Sequence, residues 1–87
     1  MRLPEALSRY AGGETALEVA GITVGEALEA AFRRHPDLRV RLVDEDGAIH
    51  PHLAVFRNES QLDRRAASAV PLEAGDILTL LVAVDGG

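Results

Sequence analysis

The feature that most constrains this chain is its final segment, Gly75-Asp76-Ile77-Leu78-Thr79-Leu80-Leu81-Val82-Ala83-Val84-Asp85-Gly86-Gly87. A turn signal, Gly75-Asp76, opens an apolar, partly β-branched run that ends in two glycines and a carboxylate. A run of this kind bounded by turn residues reads as a strand buried on both faces. A small domain has little reason to set its most buried strand beside a bare end. Glycine has no Cβ, so Gly86-Gly87 can take backbone conformations closed to other residues and pass through a narrow slot. The terminal carboxylate is then deliverable to another protein's active site, where ATP can activate it as an acyl adenylate open to a nucleophile. The plain alternative is a frayed end.

With 87 residues, 47% of them apolar, the chain makes one domain with a single modest core. Its aromatic residues are Tyr10, Phe32 and Phe56, so Leu, Val, Ile and Ala must supply that core. No cysteine is present, which excludes disulfides, thiol catalysis and iron–sulfur ligation by this chain. The net charge is −5, and all 9 basic residues are arginine. Nucleic-acid binding rests on a clustered basic face, which an acidic chain with scattered arginines does not offer. The absence of lysine excludes a phosphate-binding P-loop and Schiff-base chemistry. If ATP is used, a partner binds it. No stretch approaches the ~20 apolar residues of a membrane span, and no basic segment precedes an apolar one at the start. A soluble, cytoplasmic domain is the expectation.

Met1-Arg2-Leu3-Pro4 suits a short first strand, limited by Pro4, which has no N–H to donate. Residues 5–10 have some apolar spacing and stop at the breaker Gly12-Gly13. Thr15-Ala16-Leu17-Glu18-Val19 alternates and reads as a second strand, forming a hairpin with the first. Thr23 is an N-cap, with Glu26 three residues on completing a capping box. From there Val24, Ala27, Leu28, Ala31 and Phe32 follow helical spacing to about Arg34, with Arg33 and Arg34 suiting the helix C-terminus and Pro36 stopping it. Leu38, Val40 and Leu42 alternate with arginines, as in a short strand or an apolar turn. Asp44-Glu45-Asp46-Gly47 is a turn; it is no calcium loop, because Ile49 stands where that loop needs glycine. Residues 52–57 read as a third strand closed by Asn58, residues 59–68 as polar and at most one helical turn, and Gly75-Asp76 as the entry to the last strand.

A hairpin, one long helix and further strands make an α+β two-layer domain over residues 1–87. The first and last strands would lie parallel and adjacent in the centre of a mixed sheet of four or five strands, with one main helix packed on one face. That is the β-grasp architecture.

Several pieces also resemble the ubiquitin-like sulfur carriers: the small subunit of molybdopterin synthase, the thiamine-biosynthesis carrier, and relatives in cysteine synthesis and tRNA thiolation. The matching residues are Arg2-Leu3-Pro4 with Leu7 and Gly12-Gly13, Thr23-Val24-Gly25-Glu26-Ala27-Leu28, and His35-Pro36-Asp37-Leu38. Asp44-Glu45-Asp46-Gly47, Val55-Phe56-Arg57-Asn58 and Leu72-Glu73-Ala74-Gly75-Asp76 follow, before the strand that runs to Gly86-Gly87. The resemblance implies a carrier, not an enzyme in its own right. An E1-like adenylating partner would activate Gly87 with ATP and Mg, no cofactor being bound by this chain, and a sulfur donor would convert the adenylate to a thiocarboxylate. A larger synthase subunit or other sulfur-accepting enzyme would then receive the sulfur. Gly87 would carry the reactive group and Gly86 the flexible approach, within a tail spanning residues 85–87. Asp85 stands where the family commonly has a small apolar residue, and would bring a carboxylate to the partner's anionic adenylate site.

Other features carry alternatives. Phe56, Leu78 and Leu80 can serve as core on one side of the sheet and a partner-docking patch on the other. His50 and His52 would share one face of a strand at metal-ligand distance, but surface histidines around Pro51 are the simpler reading, and no metal is expected. Arg33, Arg34, Arg39 and Arg41 are either a local basic patch or solvated charges. Two other functions fit the same chain: a ubiquitin-like modifier conjugated through Gly87, and a β-grasp interaction module with an incidental Gly-Gly.

Overall fold

The computed structural model describes residues 1–83, so Val84 and the tail residues Asp85, Gly86 and Gly87 lie outside the described residues. Helix α1 spans Val24–Arg34 and α2 Leu38–Leu42; strands β1 (Leu53–Arg57), β2 (Ser60–Leu62) and β3 (Leu78–Val82) form one sheet in the order β2-β1-β3. Short 3-10 turns cover Glu5–Tyr10 and Ala67–Ala69.

Helix α1 begins as the spacing requires. Thr23 is extended, with φ −133° and ψ 162°, and its hydroxyl oxygen accepts from Glu26 N–H at 3.2 Å. The return bond of the capping box is displaced by one residue: Glu26 Oε1 accepts from the Ile22 N–H at 3.3 Å. Val24, Ala27, Leu28, Ala31 and Phe32 are all buried. Gly25 faces the Ala67–Ala69 turn so closely that a Cβ would stand 3.0 Å from the Ser68 carbonyl oxygen, and the helix can approach this far only because that atom is absent. Replacing Thr23 with Ala removes the hydroxyl acceptor and is expected to cost about 1 kcal/mol, read as a lower denaturant midpoint at unchanged m-value.

The sheet has three strands, all antiparallel, where a mixed sheet of four or five was expected; the parallel pairing is reduced to a single bridge. β1 pairs antiparallel with β3 from Leu53↔Val82 to Arg57↔Leu78, and with β2 from Val55↔Leu62 to Arg57↔Ser60. Arg2 adds one parallel bridge to Thr79 and one antiparallel bridge to Ala16. The first and last segments are therefore adjacent and parallel, and residues around Ala16 form the far edge. These outer segments do not extend into strands because Pro4 offers no donor and the 3-10 turn begins at Glu5.

Three local expectations are corrected. Residues 38–42 are helical, because Leu38 and Leu42, four apart, share one buried helix face while Val40 is 67% exposed. The polar stretch after Asn58 contains β2, reached through a tight turn in which Asn58 takes φ +55°. β3 is buried on one face only: Leu78 and Leu80 are 3% and 0% exposed, whereas Leu81 on the opposite face is 46% exposed, and Val82, on the inner face at the strand's end, is 51% exposed. The core joins the α1 face to Leu38, Leu42, Ile49, Leu53, Val55, Leu78 and Leu80.

Candidate functional site

The chain's chemistry is expected at Gly87, so the described part of the site is the strand that delivers the tail. β3 is held on both sides. β1 flanks it over its whole length, and on its other side Arg2 N–H donates to Leu78 O at 2.8 Å while Leu80 N–H donates to Arg2 O at 2.9 Å. A last bond, Ala83 N–H to His52 O at 2.9 Å, ties the strand down where the description ends.

The entry to β3 is clamped as firmly. Asp76 Oδ2 accepts from the Glu73 N–H and from Arg57 Nε, each at 2.8 Å, and its Oδ1 accepts from Asn58 Nδ2 at 3.0 Å. Asn58 completes the clamp, its Oδ1 accepting from Ile77 N–H at 2.8 Å and its own N–H donating to Ile77 O at 2.7 Å. These bonds hold the Asp76 carboxyl down at about 2 from an ordinary 3.8, the Glu73 N–H contributing most, then Asn58 and then Arg57. A carboxyl with a depressed folded-state pKa stabilises the fold fully above its unfolded pKa near 4. That contribution is lost as pH falls through the window from about 4 to about 2. Acid titration of stability is expected to show this loss in the wild type and a flatter profile over the same window in Asp76→Asn, whose thermal midpoint at neutral pH is also lowered. An unchanged acid profile in Asp76→Asn would contradict the clamp.

The faces of the sheet are unequal. Leu78 and Leu80 point into the core and are unavailable to a partner, which corrects their assignment to a docking patch. Successive strand residues alternate sides, so the outer face carries Ala54 and Phe56 from β1 opposite Leu81 and Thr79 from β3. Phe56 stays half-buried on this face. Leu81, which the sequence reading passed over in favour of Leu78 and Leu80, is its most exposed large apolar member. A one-residue phase error exchanges the two faces of a strand, and an unbroken apolar run gives no phase.

The remaining candidates have local partners. Arg39 forms a two-pronged pair with Glu29 at 2.6 and 3.0 Å and lies 4.8 Å from the Phe32 ring centroid. Its hydrogen bonds lower the Glu29 pKa, although both side chains are half-exposed and the pair adds little stability. Arg34 donates to Glu18 O at 2.7 Å, and Arg41 lies 4.4 Å from the Tyr10 ring centroid. Arg33 is exposed in the last turn of α1. His50 and His52 stack at 5.3 Å between ring centroids, and His50 Nε2 lies 2.8 Å from Val40 O. Among the described residues, no group of three or more His, Asp or Glu side chains is placed to hold a metal ion, and no helix is long and apolar enough to cross a membrane. Asp44 closes its turn by accepting from Asp46 N–H and Ala48 N–H through one oxygen, Oδ1.

Known proteins share this fold. The ThiS family model matches residues 1–87. Small archaeal modifier protein 1 of Haloferax volcanii is 39% identical over 83 residues, spanning 93% of this chain and 91% of that protein. The sulfur carrier protein CysO of Mycobacterium tuberculosis is 25% identical over 87 residues, spanning 98% of this chain and 94% of that protein. Among solved structures, a chain of the Amycolatopsis orientalis BexX/CysO complex superposes with a TM-score of 0.86 at 32% identity, covering 99% of this chain and 96% of that one. The match over the full sequence, on a β-grasp frame whose last strand leads to Gly86-Gly87, places this chain in the ThiS family, among the ubiquitin-like sulfur carriers.

Proposed function

We propose that this chain carries sulfur on its C-terminal glycine and acts only with partner enzymes. An E1-like adenylating enzyme, using ATP and Mg, joins the Gly87 carboxylate to AMP and releases pyrophosphate. A sulfide equivalent from a sulfur donor then attacks the acyl carbon: the C–S bond forms, the C–O bond to AMP breaks, and a thiocarboxylate remains. A larger synthase subunit or another sulfur-accepting enzyme takes the sulfur, with a cofactor precursor, a cysteine precursor or a tRNA base as the final recipient. The observation that carries this reading is the family match over residues 1–87, which includes Gly86-Gly87.

The described structure supports it in two ways. β3 is fixed at both ends, so the last described strand gives partners a firmly held surface next to Ala83. The outer face of β1 and β3, with Phe56, Thr79 and Leu81, is continuous with the tail's point of departure at Ala83 and is the proposed docking surface. Asp85, beside the reactive end, would face the same partners. The BexX/CysO complex shows a relative held by another protein, in keeping with a partner-dependent role. A second reading, conjugation of Gly87 to amines of other proteins, draws support from the modifier relative at 39% identity.

Thiocarboxylates couple with sulfonyl azides, and carboxylates do not. After incubation with ATP, Mg and an extract of the source cells, a biotin-bearing sulfonyl azide is expected to label this chain, with the label mapping to Gly87. Labelling that is absent, or that persists without ATP, would contradict sulfur loading. Amide-linked adducts with other proteins would favour the second reading.

A further inference from the structure

An activated carboxyl attacks whatever nucleophile it meets, including copies of its own chain. The side chains that compete with water for an activated acyl group are amines, which give amides, and thiols, which give thioesters; a hydroxyl with no base to activate it is a far weaker nucleophile. The 87 residues hold no lysine and no cysteine, and every basic side chain other than histidine is an arginine guanidinium that stays protonated. Within these residues the one primary amine is the amino nitrogen of Met1. The structure builds it into the sheet: it donates to Leu17 O at 2.7 Å, beside Leu17 N–H to Met1 O at 2.8 Å and Leu3 N–H to Thr15 O at 2.8 Å. An attack from that nitrogen must bring the incoming acyl group up against the segment around Thr15 and Leu17 that these bonds hold beside Met1.

Resting on the activation of Gly87 proposed above, we infer that this domain is an acceptor-free carrier: its activated tail finds no acceptor in its own chain or in a second copy, so it leaves only to another molecule and is never extended into chains of itself. In the capture step, the acceptor amine's lone pair forms the C–N bond, the bond from the acyl carbon to the activating group breaks, and the amine proton departs with that group. A copy attached to another protein presents no side-chain amine for a further copy. Each attachment is therefore one copy deep. Arginine at all nine basic positions keeps the charge that ion pairs such as Arg39–Glu29 use without adding a nucleophile.

The test uses the full chain bearing a Gly87 thioester made by intein cleavage, activated with silver ion and N-hydroxysuccinimide. Glycine ethyl ester is present in every sample, and its capture reports that the tail is active. The wild type is expected to give only the hydrolysed chain and the small-amine adduct. Arg65→Lys, at an exposed turn position whose substitution keeps the charge, is expected to give amide-linked self-adducts, cyclic or dimeric, mapping to Gly87–Lys at position 65. Wild-type self-adducts mapping to Met1 or to a hydroxyl or imidazole side chain would overturn the inference. So would an Arg65→Lys variant that captures glycine ethyl ester yet forms no self-adduct, since missing lysines would then not be what protects the tail. Because activation here is chemical, either result is independent of whether an adenylating enzyme recognises the chain.

Discussion

Deleting Gly87 is expected to abolish ATP-dependent sulfur loading while leaving the fold unchanged. The shortened chain still ends in a glycine carboxylate, so the chemistry is not removed but moved back by one residue, about 3.5 Å along an extended tail. Reacting groups must be held to well under that distance, and a misplacement of even ~1 Å can cost about 10²-fold in rate. The fold should not register the change, because β3 ends at Val82 and the last described bond, Ala83 N–H to His52 O, lies upstream of the deletion. The measurement is azide labelling alongside thermal unfolding of both proteins. Full loading of the deleted chain would remove Gly87 as the required site and show that the reach of the tail does not limit activation. Lost loading with a lowered thermal midpoint would mean that the tail has a structural role not credited to it.

The second large effect concerns neighbouring leucines. Leu80 is 0% exposed in the middle of β3, and truncating a fully buried leucine to alanine costs about 2–5 kcal/mol, because the cavity adds to the lost transfer energy. A domain of this size has a total stability of about 4–13 kcal/mol. Leu80→Ala should therefore lower the thermal midpoint by on the order of 15 °C. Leu81→Ala removes the same atoms from a side chain already 46% exposed on the other face, and a change of within about 0.5 kcal/mol is expected. Sulfur loading should respond in the opposite order, with Leu81→Asp impairing partner engagement at near-normal stability. Equal destabilisation by Leu80→Ala and Leu81→Ala would mean that β3 is buried on both faces after all.

That pair of leucines also shows where sequence reading stops. Helix α1 was legible because its period, its Thr23 cap and its Pro36 stop agree, and its five apolar positions are the buried ones. The β-grasp order was legible because the helix must cross between parallel first and last segments, and the Arg2↔Thr79 bridge is that contact. The phase of β3 was not, since consecutive apolar residues carry no alternation to read. At Leu38–Leu42 an alternation was present and misleading: the arginines have their own partners in Glu29 and Tyr10, and tertiary packing chose the helical pair. β2 escaped because Ser60 and Gln61 are exposed edge residues that need no apolar signature. The Asp76 clamp was legible only as a turn: its bond from the Glu73 N–H is local, but its side-chain partners Arg57 and Asn58 lie 19 and 18 residues away.

These differences bear on the site in one consistent direction. The tail departs from a strand fixed by β1, by Arg2 and by the Asp76 clamp, so the domain is a rigid handle for the residues beyond Ala83. Its outward-facing surface is the Phe56–Thr79–Leu81 side, with Leu78 and Leu80 holding the sheet to α1.

The central claim is that Gly87 becomes a thiocarboxylate. It is tested most directly by the intact mass of the untagged protein after incubation with ATP, Mg and an extract of the source cells, followed by fragmentation. The account predicts a mass gain equal to exchanging one oxygen for sulfur, dependent on ATP and localised to Gly87. An unchanged mass, in an extract that converts another ThiS-family protein added in parallel, would contradict it.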